Sequence, residues 1–387
     1  MSSFTGSSGS DGPLGRLVLT TKSACDVLKP MISQFYSAIN SETSKLKADA
    51  SVFTIADGLV QHLLVEHLFS GNKFAAVVGE EECVVNISSR PFTVDDLTVP
   101  DEFCDTVEAA ALEIRRLSEQ IPAGCPDYQR LTVFIDPIDG TREFSTGLGE
   151  QSSVCIGFAD AAGLPVAGLV YRPIPSPATW AAGAASEGLA LQHLDTSAAA
   201  AAGAGASANG LLTSNGGISS FIASLFEVGG LVRVPSGGAG NKMLMLLEGR
   251  GAAYIQDRGV SRWDTAGAQA VLEAHGGVLC KLTTFLSSPA SSSSSSSSGS
   301  YTYLASDTNL DFEPGVATLT PFNAADKSAV KKGDAPKQAL EAAQVKPYAN
   351  LCGLVALAAP AKTDAAVLAK WRDTCLAAAA KSAPSYD

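Results

Sequence analysis

The stretch that decides the fold reads FIDPIDGTREF and covers residues 134–144. It continues an apolar, β-rich run that starts at Leu131, so it begins inside a predicted strand and ends in a turn. Asp136 and Asp139 flank a stiff Pro-Ile pair and could present two carboxylates and one backbone carbonyl to neighbouring cations. Asp139-Gly140 alone is a common turn pair, and by itself it favours an ordinary turn.

Two further acidic clusters border apolar runs. Glu80 and Glu81 follow a predicted strand at Lys73–Val78, and Asp264 comes directly after Trp263. A carboxylate that is buried without a partner costs several kcal/mol, roughly, and several converging carboxylates repel one another. A hard cation such as Mg²⁺ relieves both costs because it takes oxygen ligands. The three clusters together therefore predict a metal site.

Composition excludes several classes of protein. The 387 residues carry a net charge of −12, which argues against a protein that holds a nucleic acid polymer by its phosphates. An anionic small substrate stays compatible, because bound cations reverse the local sign. No transmembrane stretch and no secretory signal are visible, and the eight cysteines are scattered. We expect a cytoplasmic protein without a membrane partner, acting as a monomer.

The sequence divides into three regions, and local patterns show mixed α and β structure in the second and third of them. Residues 1–13 are predicted to be a disordered tail, and residues 14–185 an α+β lobe that binds the metals. Residues 186–387 are predicted to be an α/β substrate lobe, with a Ser-rich loop at 287–300 and C-terminal helices within the Ala-rich stretch 336–381. A Gly-rich turn (SGGAGNK, 236–242) precedes a predicted helix, and the amides at such a helix start suit an anion.

The motifs resemble those of the inositol monophosphatase superfamily. Four of them occur in the family's order between about residues 17 and 282: TIAD (54–57), VVGEE (77–81), FIDPIDGTREF (134–144) and RWDTAGA (262–268). The resemblance implies a layered αβαβα sugar-phosphatase fold with two lobes and the active site between them. It also implies hydrolysis of phosphate monoesters that depends on two or three Mg²⁺ ions and is commonly inhibited by Li⁺.

The same resemblance implies a role for each matching residue. Glu80 and Thr141 would orient the attacking water, and Asp57 would hold a further metal or its water. The implied metal ligands are Glu80, Asp136, the Ile138 carbonyl, Asp139 and Asp264, and the implied substrate contacts are Gly140, Thr141, Gly238, Ala239 and Lys242.

Two branches of the family compete for the substrate. The GGAGNK stretch (237–242) resembles the 3'(2'),5'-bisphosphate nucleotidases, which convert adenosine 3',5'-bisphosphate to AMP. The stretch LTSNGG (212–217) has no match to a His of that branch, and the long span between Glu80 and Asp136 resembles inositol polyphosphate 1-phosphatase, which acts on inositol 1,4-bisphosphate. A third hypothesis is a sensor of the same fold that binds a phosphorylated nucleotide or inositol without turnover; no ligand position is lost from the sequence to favour it.

Overall fold

The computed structural model describes residues 8–39, 46–195, 208–287, 301, 303–304, 349–350 and 352–385. The chain divides into two compact units. The first comprises residues 1–196, 236–248 and 263–275, and the second comprises residues 197–235, 249–262 and 276–387. This division differs from the predicted boundary at 185/186, because the Gly-rich turn and the segment that carries Asp264 belong to the first unit. Contacts between segments that are far apart in the chain determine which unit each of these two segments belongs to.

The first unit is built on a six-stranded sheet with the order β1-β5-β6-β7-β8-β9, in which β1 and β5 are parallel and the other neighbours antiparallel. A small meander, β2-β3-β4, lies before α3 in the sequence. The strands are β1 (Ala76–Gly79), β2 (Val85–Asn86), β3 (Thr93–Val94), β4 (Leu97–Thr98), β5 (Thr132–Asp139), β6 (Ser153–Ala159), β7 (Pro165–Arg172), β8 (Thr179–Ala184) and β9 (Leu189–His193). The α-helices among the described residues before 196 are α1 (Pro13–Ile39), α2 (Leu46–His62, continued by a π-helical turn, Leu63–Leu68), α3 (Asp101–Ser118), α4 (Pro126–Gln129) and α5 (Thr141–Ser145).

The two faces of this sheet carry different helices. On β7, the Tyr171 hydroxyl donates to Asp26 of α1 at 2.9 Å, so one face is covered by α1. Successive strand residues point to opposite faces. Val170 accordingly faces the other way and approaches Gly240, on a helix that follows the Gly-rich turn. The unit is thus a helix–sheet–helix sandwich.

The second unit has a five-stranded mixed sheet with the order β11-β10-β12-β16-β14. One apolar core joins this sheet to α6 and α10 through buried residues such as Phe221, Leu225 and Trp371. The remaining elements among the described residues are β10 (Gly210–Thr213), α6 (Ser220–Gly229), β11 (Val232–Pro235), α7 (Ala239–Leu247), β12 (Ala253–Gln256), β13 (Val260–Ser261), α8 (Arg262–Ala274), β14 (Val278–Lys281), α9 (Leu282–Ser287), β15 (Ala349–Asn350), β16 (Leu354–Leu357) and α10 (Ala365–Lys381). Of these, α7 and α8 pack within the first unit, apart from the first residue of α8.

The predicted layered α/β fold class is confirmed by these sheets and helices. The stretch 336–381 is not helical throughout, because β16 lies between β12 and β14. All four residues of β16 are buried, and a short apolar run of that kind does not distinguish a central strand from a buried helix.

Two other predicted segments fall partly on described residues. Residues 8–11 of the predicted tail form a 3₁₀ turn, and α1 already begins at Pro13. The backbone amides of Leu14 and Gly15 donate to Glu187 at 3.0 and 2.7 Å, a contact with a residue more than 170 positions away. Residues 1–7 and the Ser-rich stretch from 288 to 300 lie outside the described residues. Among the described helices, none has the length and apolar character needed to cross a bilayer.

Candidate active site

A β-bulge places two aspartates of β5 on the same face of the sheet. Residues three apart in a regular strand point to opposite faces. Here the register shifts, so that Asp136 pairs with Cys155 and Asp139 pairs with Ser153. Because the two partners on β6 are only two residues apart, both carboxylates face the side of α7 and α8. Pro137, which has no amide hydrogen for the ladder, lies inside this bulge.

Glu80 reaches the same place from the neighbouring strand. It follows the last residue of β1, and its amide donates to the carbonyl of Ile135 at 3.1 Å. Gln61 of α2 fixes the corner through both ends of its amide: it donates to the Glu81 carbonyl at 2.6 Å and accepts from the Glu81 amide at 2.9 Å. The Glu80 corner is therefore held by hydrogen bonds on two sides.

Asp264 completes a group of three carboxylates. It lies in the first turn of α8. One ligand oxygen from each of Glu80, Asp136 and Asp264 lies within 4.8 Å of the other two. The structure thus brings together residues from three segments that are separated by 56 and 128 positions in the sequence.

The electrostatics of this group are unfavourable without a cation. Asp136 is 2% exposed, and its Oδ1 has no hydrogen-bond partner in the described part of the chain. Burial, followed by the charges of Glu80 and Asp139, raises the pKa of Asp136 well above its usual value. A divalent cation would give the orphaned oxygen a partner and neutralise the charges, and all three donors are the hard oxygens that Mg²⁺ prefers. The residues therefore fit Mg²⁺.

Asp57 lies in a second acidic environment close to the first. It is 4% exposed on α2, and its Oδ1 also lacks a hydrogen-bond partner among the described residues. Burial, then the charges of Glu81 and Glu80, raises its pKa well above the usual value. The charges of Glu81 and Glu80 thus act on this side chain, and the role that the family resemblance implies for it, holding a further metal or its water, stays a prediction.

Asp139 makes contacts that the sequence does not reveal. Its Oδ1 accepts from the amide of Ala239 at 2.9 Å, and its Oδ2 accepts from the amide of Gly240 at 2.7 Å and from the Ser153 hydroxyl at 3.1 Å. The carboxylate thus caps the start of α7, where a negative charge is favourable. Asp139 lies outside the group of three, and any metal ligation by it would use its remaining lone pairs.

The Gly-rich turn is packed directly against the end of β5. Gly238 has φ +58°, and an added Cβ would lie 2.8 Å from the Gln151 carbonyl and 2.9 Å from Asp139 Oδ2. The position therefore requires glycine for its backbone conformation and for space. Lys242 is 4% exposed, and its ammonium donates to the carbonyls of Gly238 at 2.6 Å and Ser236 at 3.3 Å. Burial lowers the pKa of Lys242 to about 8, against the opposing charge of Asp139.

A buried polar network holds the turn, and sequence reasoning missed it. Arg172 pairs with Glu248, and its Nε donates to the Asn241 side chain at 2.7 Å. Asn241 in turn donates to the carbonyl of Gly237 and the hydroxyl of Ser236, both at 2.9 Å. The network ties the turn to β7. Asn241 stands in the GGAGNK stretch, but the sequence does not show that its side chain is bonded to Arg172, 69 residues earlier in the chain.

The remaining predicted positions lie at the end of β5. Ile138 is buried within the bulge, and Gly140 adopts φ +90° as the residue before α5. Thr141, the first residue of α5, is exposed. Gln151 lies opposite this corner and was missed by the sequence analysis; its side chain accepts from the Gly237 amide at 2.8 Å.

Comparison with known proteins identifies a family. Residues 18–301 match the model of the inositol monophosphatase family. A human 3'(2'),5'-bisphosphate nucleotidase 1 is 26% identical over 244 residues, which are 58% of this chain and 70% of that protein. Inositol monophosphatase 3 of Danio rerio is 27% identical over 172 residues, or 42% and 46% of the two chains. A crystal structure of CysQ from Bacteroides thetaiotaomicron aligns with 71% of this chain and 90% of its own, at 19% identity and a TM-score of 0.45.

The family model spans almost three quarters of the chain, and its range contains every predicted metal ligand. The recognition made from the motifs is confirmed, and the chain belongs to the inositol monophosphatase family, as a metal-dependent phosphoric monoester hydrolase.

Proposed function

We propose that this enzyme is a Mg²⁺-dependent, Li⁺-sensitive 3'(2'),5'-bisphosphate nucleotidase that hydrolyses adenosine 3',5'-bisphosphate to AMP and phosphate. The observation that supports it is the Gly-rich turn of the nucleotidase type, which is bonded through Asp139 to the strand that carries Asp136. A phosphate site formed by this turn would thus adjoin the carboxylate group. Relatives named as bisphosphate nucleotidases are 26–29% identical to the chain.

In this proposal Glu80, Asp136 and Asp264 hold Mg²⁺, with Asp139 and the Ile138 carbonyl as additional ligands and Asp57 beside a further ion. Bound Mg²⁺ supplies charge neutralisation at the phosphate oxygens and lowers the pKa of a water. The Thr141 hydroxyl and the Glu80 carboxylate orient the attacking water for in-line displacement. Gly140, Gly238, Ala239 and Lys242 bind the substrate.

The Gly-rich turn has a restricted set of donors for an anion. The Ala239 amide is already bonded to Asp139, so a substrate oxygen at this amide must share it with that carboxylate or replace it. The ammonium of Lys242 is bound to the carbonyls of Ser236 and Gly238, so its charge is held at the turn. We therefore assign Lys242 to long-range attraction of the phosphate, in addition to holding the turn.

The alternative substrate is inositol 1,4-bisphosphate. The specific observation in its favour is the long span between Glu80 and Asp136, which contains the meander β2–β4 and the 18-residue helix α3. No nucleic acid polymer and no membrane enter either proposal. The cytoplasmic location and the monomeric state stay predictions from the sequence.

Phosphate release from the two bisphosphates, measured side by side in Mg²⁺ with and without Li⁺, tests the assignment. We expect kcat/KM for adenosine 3',5'-bisphosphate to exceed that for inositol 1,4-bisphosphate by at least about tenfold. A site whose buried hydrogen-bonding groups pair with the nucleotide would leave some of those groups unpaired when the inositol ester binds. The Asp264→Asn variant, purified in the same way, serves as the control for contaminating phosphatase activity. A reversed preference would assign the enzyme to the inositol branch, and release from neither would point to another ester or to a sensor.

A further inference from the structure

Three glycines form a row across the sheet of the first unit, on the face that carries α8. Gly157 of β6 is the register partner of Gly168 of β7, which is in turn the partner of Gly183 of β8. None of the three has a positive φ, so the backbone conformation does not require glycine at these positions. Another reason must account for three adjacent positions without a side chain.

That reason is the close approach of α8. An added Cβ on Gly157 would lie 2.3 Å from the backbone nitrogen of Gly267, and one on Gly168 would lie 2.5 Å from the Gly267 carbonyl oxygen. An added Cβ on Gly267 itself would lie 2.5 Å from the carbonyl oxygen of Ile156. Carbon atoms in contact are normally about 3.5–4.0 Å apart, so any Cβ here would displace the helix or the sheet by roughly 1 Å.

The row contacts α8 at two different distances from Asp264. Gly157 and Gly168 lie under Gly267, three residues after Asp264. Gly183 lies under the last turn of the same helix, where its added Cβ would be 2.5 Å from the Cβ of Ala274. The first contact is less than one helical turn from Asp264, and the second, which also includes the Ala270 carbonyl oxygen at 2.9 Å, is about two to three turns away.

We propose that Gly157, Gly168 and Gly267 are positioning residues that set how deeply the start of α8 lies on the sheet, and thereby place the Asp264 carboxylate against Asp136 and Glu80. The inference rests on the metal site of the proposed function. The orphaned Oδ1 of Asp136, a residue 2% exposed, independently indicates a ligand at that place. Mg²⁺ requires near-ideal octahedral geometry, so a shift of one ligand by roughly 1 Å weakens binding.

The test compares Mg²⁺ binding and thermal stability for Gly157→Ala and Gly183→Ala, without substrate. Both substitutions add one methyl group beneath α8, so both should lower the melting temperature. Calorimetry should show at least about tenfold weaker Mg²⁺ binding for Gly157→Ala and a change below about threefold for Gly183→Ala. Asp264→Asn serves as the reference for a lost ligand.

A milder pair of substitutions keeps the test decisive if Gly157→Ala does not fold. The Cβ of Ala266 lies 2.6 Å from the position of an added Cβ on Gly157, and Ala274 holds the equivalent place over Gly183. Ala266→Ser should then weaken Mg²⁺ binding more than Ala274→Ser. Equal Mg²⁺ affinities within either pair, while Asp264→Asn still weakens binding, would overturn the inference and leave the proposed function intact. Absence of Mg²⁺ binding to the unmodified protein would instead overturn the proposed function.

Discussion

Asp264→Asn should lower the rate of Mg²⁺-dependent phosphate release by more than about 10²-fold while the protein stays folded. The substitution keeps the size of the side chain and removes the charge that Asp264 contributes to the group with Glu80 and Asp136. An Asn in the first turn of α8 can still accept a backbone hydrogen bond, so the helix start should survive.

The control for this variant is Asp101→Asn. Asp101 also lies in the first turn of a helix, α3; it is exposed and does not belong to the group of three carboxylates. This control should keep full activity and a similar melting temperature. Turnover of Asp264→Asn near that of the unmodified enzyme would contradict the assignment of Asp264 as a metal ligand.

Two isosteric substitutions on β5 should change stability in opposite directions. Asp136→Asn removes a buried charge that has no partner at Oδ1 and is repelled by its neighbours. In the absence of divalent cations, we expect its free energy of unfolding to rise by about 1–3 kcal/mol. Asp139→Asn should lower the free energy of unfolding by about 1–3 kcal/mol, because an amide nitrogen replaces one of the two oxygens that accept from the start of α7.

Thermal or urea unfolding in a chelating buffer measures both changes. The gain for Asp136→Asn should be larger at pH 8 than at pH 5, because the raised pKa lets folded Asp136 retain its proton at the lower pH. Added Mg²⁺ should raise the melting temperature of the unmodified protein and have less effect on Asp136→Asn. A loss of stability for both variants would show that Asp136 has a partner that balances its burial.

The motif residues of the site could be predicted from sequence because each stands beside a local signal. Glu80 ends an apolar run, Asp136 stands between an apolar run and a proline, and Asp264 follows Trp263 in a helix start. Where such carboxylates converge, a cation would relieve the cost of their burial and their mutual repulsion. That they do converge depends on pairings such as that of Gly79 with Ile135, which no local pattern fixes.

The role of Asp139 could not be predicted in the same way. Its two amide partners lie 100 and 101 residues further along the chain. The bulge that turns it to the face of Asp136 also depends on the neighbouring strand, β6. The sequence alone shows a turn-forming Asp-Gly pair and a family motif. Neither of them indicates that the Asp139 carboxylate caps the start of α7.

The glycine row was invisible for a related reason. Gly157, Gly168 and Gly183 lie 11 and 15 residues apart in ordinary strand sequences, and only the register aligns them. The spacing in 336–381 predicts helix, but Leu354–Leu357 forms a strand because it pairs with β12 on one side and with β14 on the other. Local periodicity predicts which face of a helix or strand a residue lies on, but it does not predict which other element packs against that face.

We propose that Glu80, Asp136 and Asp264 together hold the divalent cation that hydrolysis requires. Mn²⁺ often replaces Mg²⁺ at oxygen sites and is located by its anomalous scattering. Diffraction from crystals grown in Mn²⁺, at a concentration that supports full activity, should show an anomalous peak bounded by the three carboxylates. A map without a peak at this place would contradict the account.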